Sequence, residues 1–378
     1  MNTEQPGSLV GHFAVIEDPR DEGKRRHLLI DALVICIAAV LCGADGWTEI
    51  EEFGKAKEAW LRRFLKLPFG IPSHDTLGRI FAVLSPEVFE ARFREWVASV
   101  RAVCGEDVIA IDGKSLRRSH NRKKGLGPLH LVSAWSTANG LVLAQQATEA
   151  KSNEITAIPK VLQMLELKGC IVTLDAMGCQ KAIAEQIVER GGQYVLALKG
   201  NQSTLAEAVE ELFTEADAAE YAGWPMDFYE TTERAHGRVE TRRYWTLTGV
   251  EKIPQAAGWK DLNTVGMVQS ERQVEDKTTV ETRFYIASTG GDARRFAWAV
   301  RHHWGIENGL HWCLDIAFRE DESRVRDRQA ATHLAVMRPI TLGLLKKDKT
   351  IKRGIKTKRL VAGWDEEYLA KLLFEQRD

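Results

Sequence analysis

The apolar positions of this chain change their period near residue 105. Before it they recur at helical spacing, as at Trp47, Ile50, Phe53, Trp60, Leu61 and Phe64. The most apolar run, Leu28 to Cys42, contains Asp31 and is too short to span a bilayer, which predicts a buried helix. Leu67-Pro68-Phe69-Gly70-Ile71-Pro72 breaks the pattern, Ser73 can cap a helix running to Val83, and Ser85-Pro86 opens another reaching about Val103. That helix pair fits a plain bundle, or a helix-turn-helix presenting Ser73, His74, Thr76 and Arg79 to DNA. From residue 108 the texture is that of strands: VIAIDGKSL, LHLVSAWSTA and LVLAQQATE, the last two joined by an Asn139-Gly140 hairpin signal.

An amphipathic helix over Asn153 to Leu167 follows, then a strand over Cys170–Leu174, a helix over Cys179–Glu189 and a strand over Tyr194–Leu198. The order β-β-β-α-β-α-β predicts a mixed α/β sheet flanked by helices, the order of the ribonuclease H-like fold. Between Leu205 and about Ser288 alternation returns in hairpin-like segments, which predicts an inserted β-rich subdomain. Phe296 to Phe318 is helical again, softened by Gly305 and Gly309, with a sheet-facing stripe at Ile306, Leu310, Cys313, Leu314 and Ala317. The expected division is a helical N-terminal domain at 1–105, a catalytic core at 106–204 and 289–345, the insertion at 205–288, and a basic tail at 346–378.

Composition narrows the class. With 378 residues, 44% hydrophobic and 28% charged, the chain is an ordinary globular protein with room for two or three domains. A net charge of -1 makes it no polycation, so local charge has to be read. Six cysteines without a CxxC pair fit small buried hydrophobes in a reducing compartment. The first residues carry no basic start followed by an apolar core, so no signal peptide is expected and the cytoplasm is the expected location. Positive charge concentrates in the loop Arg117–Lys124 and in the stretch Lys346–Arg359.

Two apolar strands run into single aspartates followed by glycine: VIAIDGK ends on Asp112 and CIVTLDAMG on Asp175. If the strands are neighbours, both carboxylates leave the same sheet edge, where α/β sheets bind ligands. Like charges brought that close repel unless a cation lies between them. Glu307 stands beside the helical stripe and can face the same strand ends. A zinc site of His303, Glu307 and His311 is the rival. The two histidines are eight residues apart, a rise of about 12 Å, so one ion cannot take both without a break in the helix.

AIDGKSLR, LDAMGCQKAIAEQI, LALKGNQ and RHHWGIENGLHWCLDIAFRED together resemble DDE transposases of bacterial insertion sequences, of the H-repeat-associated type. The resemblance runs from about residue 12 to residue 370. It implies an Asp112–Asp175–Glu307 triad that is both catalytic and metal-binding, holding two Mg2+ or Mn2+ ions, and cleavage and transfer of DNA strands. It implies double-stranded DNA as partner, both terminal inverted repeats and target, a homodimer on that DNA, and no membrane. Around the third acid the broader group carries Tyr-x2-Arg-x3-Glu-x6-Lys, and here Val300, His303 and Leu314 occupy those positions. The expected DNA contacts are Lys114, Arg117, Arg118, Arg122, Lys123 and Lys124 after the first aspartate. Lys199 and Asn201 of LALKGNQ, His236 and Arg238 of the AHGR turn, and Arg301, His303 and His311 near Glu307 complete them. A cut-only or non-catalytic DNA-binding relative is the alternative.

Overall fold

A computed structural model describes residues 8–101, 106–121, 124–148, 154–235 and 237–374. Six helices open the chain: α1 (Leu9–Ala14), α2 (Leu29–Leu41), α3 (Trp47–Ala56), α4 (Glu58–Leu61), α5 (His74–Val83) and α6 (Pro86–Val100). α2 is apolar on every side and twelve of its thirteen residues are buried, so it is a central core helix. Its Asp31 is satisfied in the interior by the Leu67 N–H at 2.8 Å. Ser73 and Ser85 cap α5 and α6 through their hydroxyls, as their positions in the sequence require.

Of the residues read as a helix-turn-helix face, Ser73 is spent on the Thr76 N–H and His74 on Glu51. The pair α5–α6 packs on a later helix, which makes these elements part of a common bundle. α6 also lies on the sheet, where Glu90 accepts the Gln145 N–H at 3.1 Å. Burial pushes this carboxyl up to about 7, against that hydrogen bond and the nearby Arg94. Its folded pKa lies above the unfolded value, so its contribution is full below about 4.5 and is lost as pH rises through about 7. Glu90→Gln keeps the acceptor and removes the titration. Urea unfolding should show a gain of about 1–3 kcal/mol at pH 8 and little gain at pH 4.

The strands are β1 (Asp107–Leu116), β2 (Leu129–Ser136), β3 (Leu141–Thr148), β4 (Cys170–Leu174) and β5 (Gln193–Leu198), with α7 (Glu154–Gln163) and α8 (Lys181–Glu189) between them. α9 (Ser203–Ala218) leads into β6 (Met226–Ala235), β7 (Arg238–Thr248), β8 (Thr264–Val274) and β9 (Lys277–Ala287). The Asn139-Gly140 hairpin forms as read, with Gly140 at φ +64°. β1, β4 and β5 are parallel, and β2 and β3 add antiparallel.

The strands of the expected β-rich insertion join the main sheet. β9 pairs antiparallel with β5, from Val195 opposite Ala287 to Leu198 opposite Phe284. All nine strands therefore form one sheet, in the order β3-β2-β1-β4-β5-β9-β8-β7-β6. Left alone, β5 would present a bare edge to solvent. The apolar end of β9 covers it.

α10 (Ala293–Ile306) lies across the sheet over Val108, Ile171, Val195, Val268 and Tyr285. A wide π turn, Glu307–His311, joins it to α11 (Trp312–Phe318). α12 (Arg328–Lys347) packs on α2, α5, α6 and β3, and α13 (Ile355–Trp364) and α14 (Glu366–Phe374) close the chain. The expected basic tail is therefore helical, and part of its charge turns inward. Lys358 donates to the Leu345 carbonyl at 2.7 Å, and Arg359 donates to Val40 O at 2.6 Å with its guanidinium 4.1 Å from the Phe318 ring centroid. Carbonyls in the last turn of a helix attract cations, which accounts for this use of them. No helix among the described residues is long and apolar enough to cross a membrane.

Candidate metal centre

The parallel register of β1 and β4 runs from Asp107 opposite Cys170 to Ile111 opposite Leu174. The next residue on each strand is an aspartate, Asp112 and Asp175, so the two acids leave adjacent strands side by side. The repeated strand-then-aspartate pattern in the sequence has this spatial meaning. Asp175 is exposed, and its Oδ1 accepts the Met177 and Gly178 N–H groups at 3.0 and 3.2 Å. Those bonds hold the turn that follows the strand.

Glu307 reaches the same place from the opposite layer. Gly305 and Gly309 flank it because the helix runs close to the β2–β3 turn. A Cβ on either would lie 2.9 Å from Thr137 or Trp135. The π turn adds a residue between α10 and α11 and re-aims Glu307 and His311 together, a device often found at functional sites. His311 Nδ1 lies 3.6 Å from Asp112 Oδ2 and 3.5 Å from Glu307 Oε2. Ligand atoms of Asp112, Glu307 and His311 all lie within 4.8 Å of one another.

Asp112, Asp175 and Glu307 line one cavity of about 370 Å³, with Thr173, Lys199, His303 and Trp304. Burial pushes the Asp112 carboxyl up to about 7, with the nearby Glu307 charge adding to the shift and His311 and the Gly113 N–H opposing it. The His311 hydrogen bond holds Glu307 below its ordinary value. Without a cation, the acid pair thus has room for one negative charge more readily than two.

Behind Asp112 the backbone is fixed by a buried polar pair. His130 Nε2 lies 2.7 Å from Glu154 Oε1, and His130 Nδ1 lies 2.8 Å from Ser115 Oγ. A Cβ on Gly113 would come within 2.6 Å of both His130 and Glu154. Only glycine fits between Asp112 and that pair.

The sequence from 104 to 344 matches the family described as Transposase DDE domain, and residues 10–97 match the family described as DDE_Tnp_1-associated. "Putative transposase YncI" of Escherichia coli O157:H7 is 42% identical over 97% of this chain and 94% of its own length. "H repeat-associated putative transposase YhhI" of Escherichia coli K12 is 41% identical over 97% of each chain. The chain belongs to the DDE transposases, in their H-repeat-associated branch. A piggyBac transposase synaptic complex with hairpin DNA also aligns, with a TM-score of 0.42 and 7% identity over 97% of this chain and 75% of that one.

The remaining predicted contacts of this transposase divide by environment. Lys114 turns inward, its ammonium 2.6 Å from Asp315, 3.2 Å from Glu320 and 3.3 Å from Asp321. Lys114, expected at the DNA, is thus engaged with three clustered carboxylates. His311 is buried against the acids. His303 Nδ1 lies 3.0 Å from Thr173 Oγ1 at the wall of the acid cavity, and among the described residues the group of possible ligand atoms within 4.8 Å of one another takes in His311 and not His303.

Arg117 stays largely in solvent with one bond to Asp321, Arg118 and Lys124 are exposed, and Lys199 edges the acid cavity. Asn201 donates to the Ala176 carbonyl, which ties the turn beside Asp175 to the end of β5. Arg301 pairs with Glu233 at 3.1 Å, and Arg238 borders a groove on the extended sheet. Arg122, Lys123 and His236 lie outside the described residues. The sequence put His311 beside Glu307, as a DNA-facing group or one orienting that acid, but did not show its approach to Asp112. Its four-residue spacing from Glu307 was the available signal, and the π turn gives that spacing its effect.

Proposed function

We propose that this transposase cuts DNA strands at the ends of its insertion sequence and joins them to a target, at the cavity shared by Asp112, Asp175 and Glu307. The observation that carries the reading is that three acids from three separate elements line one cavity. β1 to β5 with their helices are read as a ribonuclease H-like core. The donor set fits divalent cations: carboxylates with one imidazole, and no thiolate, suit Mg2+ or Mn2+. Asp112 pushed up to about 7 beside Glu307 is the condition a cation relieves.

Asp112, Asp175 and Glu307 would hold the ions, with His311 as a further donor. When bound, two such ions would supply Lewis-acid activation of the attacking oxygen and stabilise the leaving oxygen. The protein's own contribution is positional. The β1–β4 register fixes two carboxylates, the π turn brings the third, and Thr173 holds His303 at the cavity wall. Lys199, at the cavity edge, is placed to meet a phosphate, and exposed Arg118 and Lys124 to fix register on the DNA backbone. Double-stranded terminal repeats and target DNA are the partners, bound by two copies of the chain in the cytoplasm.

A strand-transfer assay with a labelled 3′-hydroxyl end tests the reading. Joined product in Mg2+ or Mn2+ is the expected result. Cleavage without joining would make the protein a nuclease of the same architecture, and binding alone would make it a non-catalytic relative.

A further inference from the structure

A second groove opens directly from the acid cavity. It encloses about 410 Å³ between α10 and the face of β7, β8 and β9. Alternate residues of those strands point to one face, so Arg238 and Arg242 of β7, Arg272 of β8 and Arg283 of β9 line the groove together, opposite Arg301 of α10. Only Glu240 and Glu281 supply negative charge to its lining. Arg242 and Glu240 pair largely out of water, whereas the Arg283–Glu281 pair at 2.8 Å is open to solvent, and such a pair is worth little against water. A phosphate can therefore replace a carboxylate at small cost. Arg272 forms no ion pair among the described residues.

The two cavities share a wall: Glu281, Arg283, Tyr285, Val300 and Trp304 border both. Trp304 is 42% exposed there, with the Arg283 guanidinium 5.3 Å from its ring centroid. Arginines spaced along a groove with an exposed aromatic at its mouth are the features that hold unpaired nucleic acid, by phosphate charge and base stacking. The volume points the same way. About 410 Å³ is the size of a small-ligand pocket, room for a nucleotide or two and far too little for a duplex.

Building on the proposed strand-transfer reading, we propose that this groove binds a single DNA strand where it leaves the acid cavity. Trp304 stacks a base at the junction, and Arg283, Arg272 and Arg238 carry the phosphates outward along the extended sheet. The four added strands then have a use: they provide the track that the acid site alone lacks.

The test is fluorescence anisotropy of the full-length protein, in EDTA so that nothing is cut, on a short labelled oligothymidylate and on a labelled duplex, across a series of salt concentrations. Arg272→Gln should lower the slope of log K against log salt on the single strand by about 0.7, and Arg272→Lys should restore it. Trp304→Ala should weaken single-strand binding roughly 5- to 150-fold and duplex binding much less. Variants that melt like the parent yet bind the single strand unchanged would overturn the proposal. Equal losses on both DNAs, with the slope on duplex falling by about 0.9, would also overturn it and make the groove a duplex contact. Arg63→Gln, outside both cavities, is the control and should bind the single strand normally. Failure of the parent to join strands, with these binding losses intact, would sink the catalytic reading and leave this one standing.

Discussion

Asp112→Asn, Asp175→Asn and Glu307→Gln should each give a folded protein that binds DNA and does not cut it. Each change keeps the shape of the side chain and removes one charge from a cavity that concentrates three. Proposed direct ligands should cost far more activity than the roughly 10- to 100-fold expected when an outer partner of a ligand is lost. Binding should persist or tighten slightly, because a negative charge beside the phosphate has gone. Without metal, Asp112→Asn should also melt higher than the parent, since burial and Glu307 together disfavour a charged Asp112. Cleavage and binding measured side by side on each variant decide the matter. Loss of both together would give that residue a structural role, and retained cleavage would remove it from the site.

Lys114→Met should unfold the protein more readily and leave the salt dependence of DNA binding alone. Its ammonium is the shared partner of Asp315, Glu320 and Asp321, and Glu320 is only 1% exposed. Burial works against the charged ammonium, and Glu320, Asp315 and Asp321 more than offset it, raising its pKa. Arg338, 3.2 Å from the other oxygen of Glu320, cannot reach all three acids' roles alone. Removing one partner of a buried pair costs about 3–5 kcal/mol, read as a lower urea midpoint. A Lys114 that touches DNA would give the reverse: unchanged stability, and a slope lower by about 0.9 on duplex.

The difference between Lys114 and Asp112 also marks what the sequence could tell. Asp112 and Asp175 were legible because each ends an apolar strand, and that signal is local. The Asn139-Gly140 hairpin was legible for the same reason. Lys114 two residues later looked like a DNA contact because its partners lie some 200 positions away, beyond the reach of any local pattern. The pairing of β9 with β5 is equally remote, so the sequence showed an insertion of strands without showing that they continue the main sheet. His311 was visible as a residue four after Glu307, but its meeting with Asp112 depends on a π turn that helical periodicity does not announce.

The order of elements along the chain has a bearing on synthesis. A nascent chain that has emerged as far as β5 already carries Asp112 and Asp175 on paired strands, yet Glu307 and His311 are still about a hundred residues from being made. α12, which covers α2, α5 and β3, comes later still. The apolar surface of α2 therefore waits for nearly the whole chain before it is covered, a long-range closure of the kind that slows folding and leaves intermediates prone to aggregate. A ribosome that stalls before residue 293 releases a fragment with two acids, an uncovered core helix and no complete cavity.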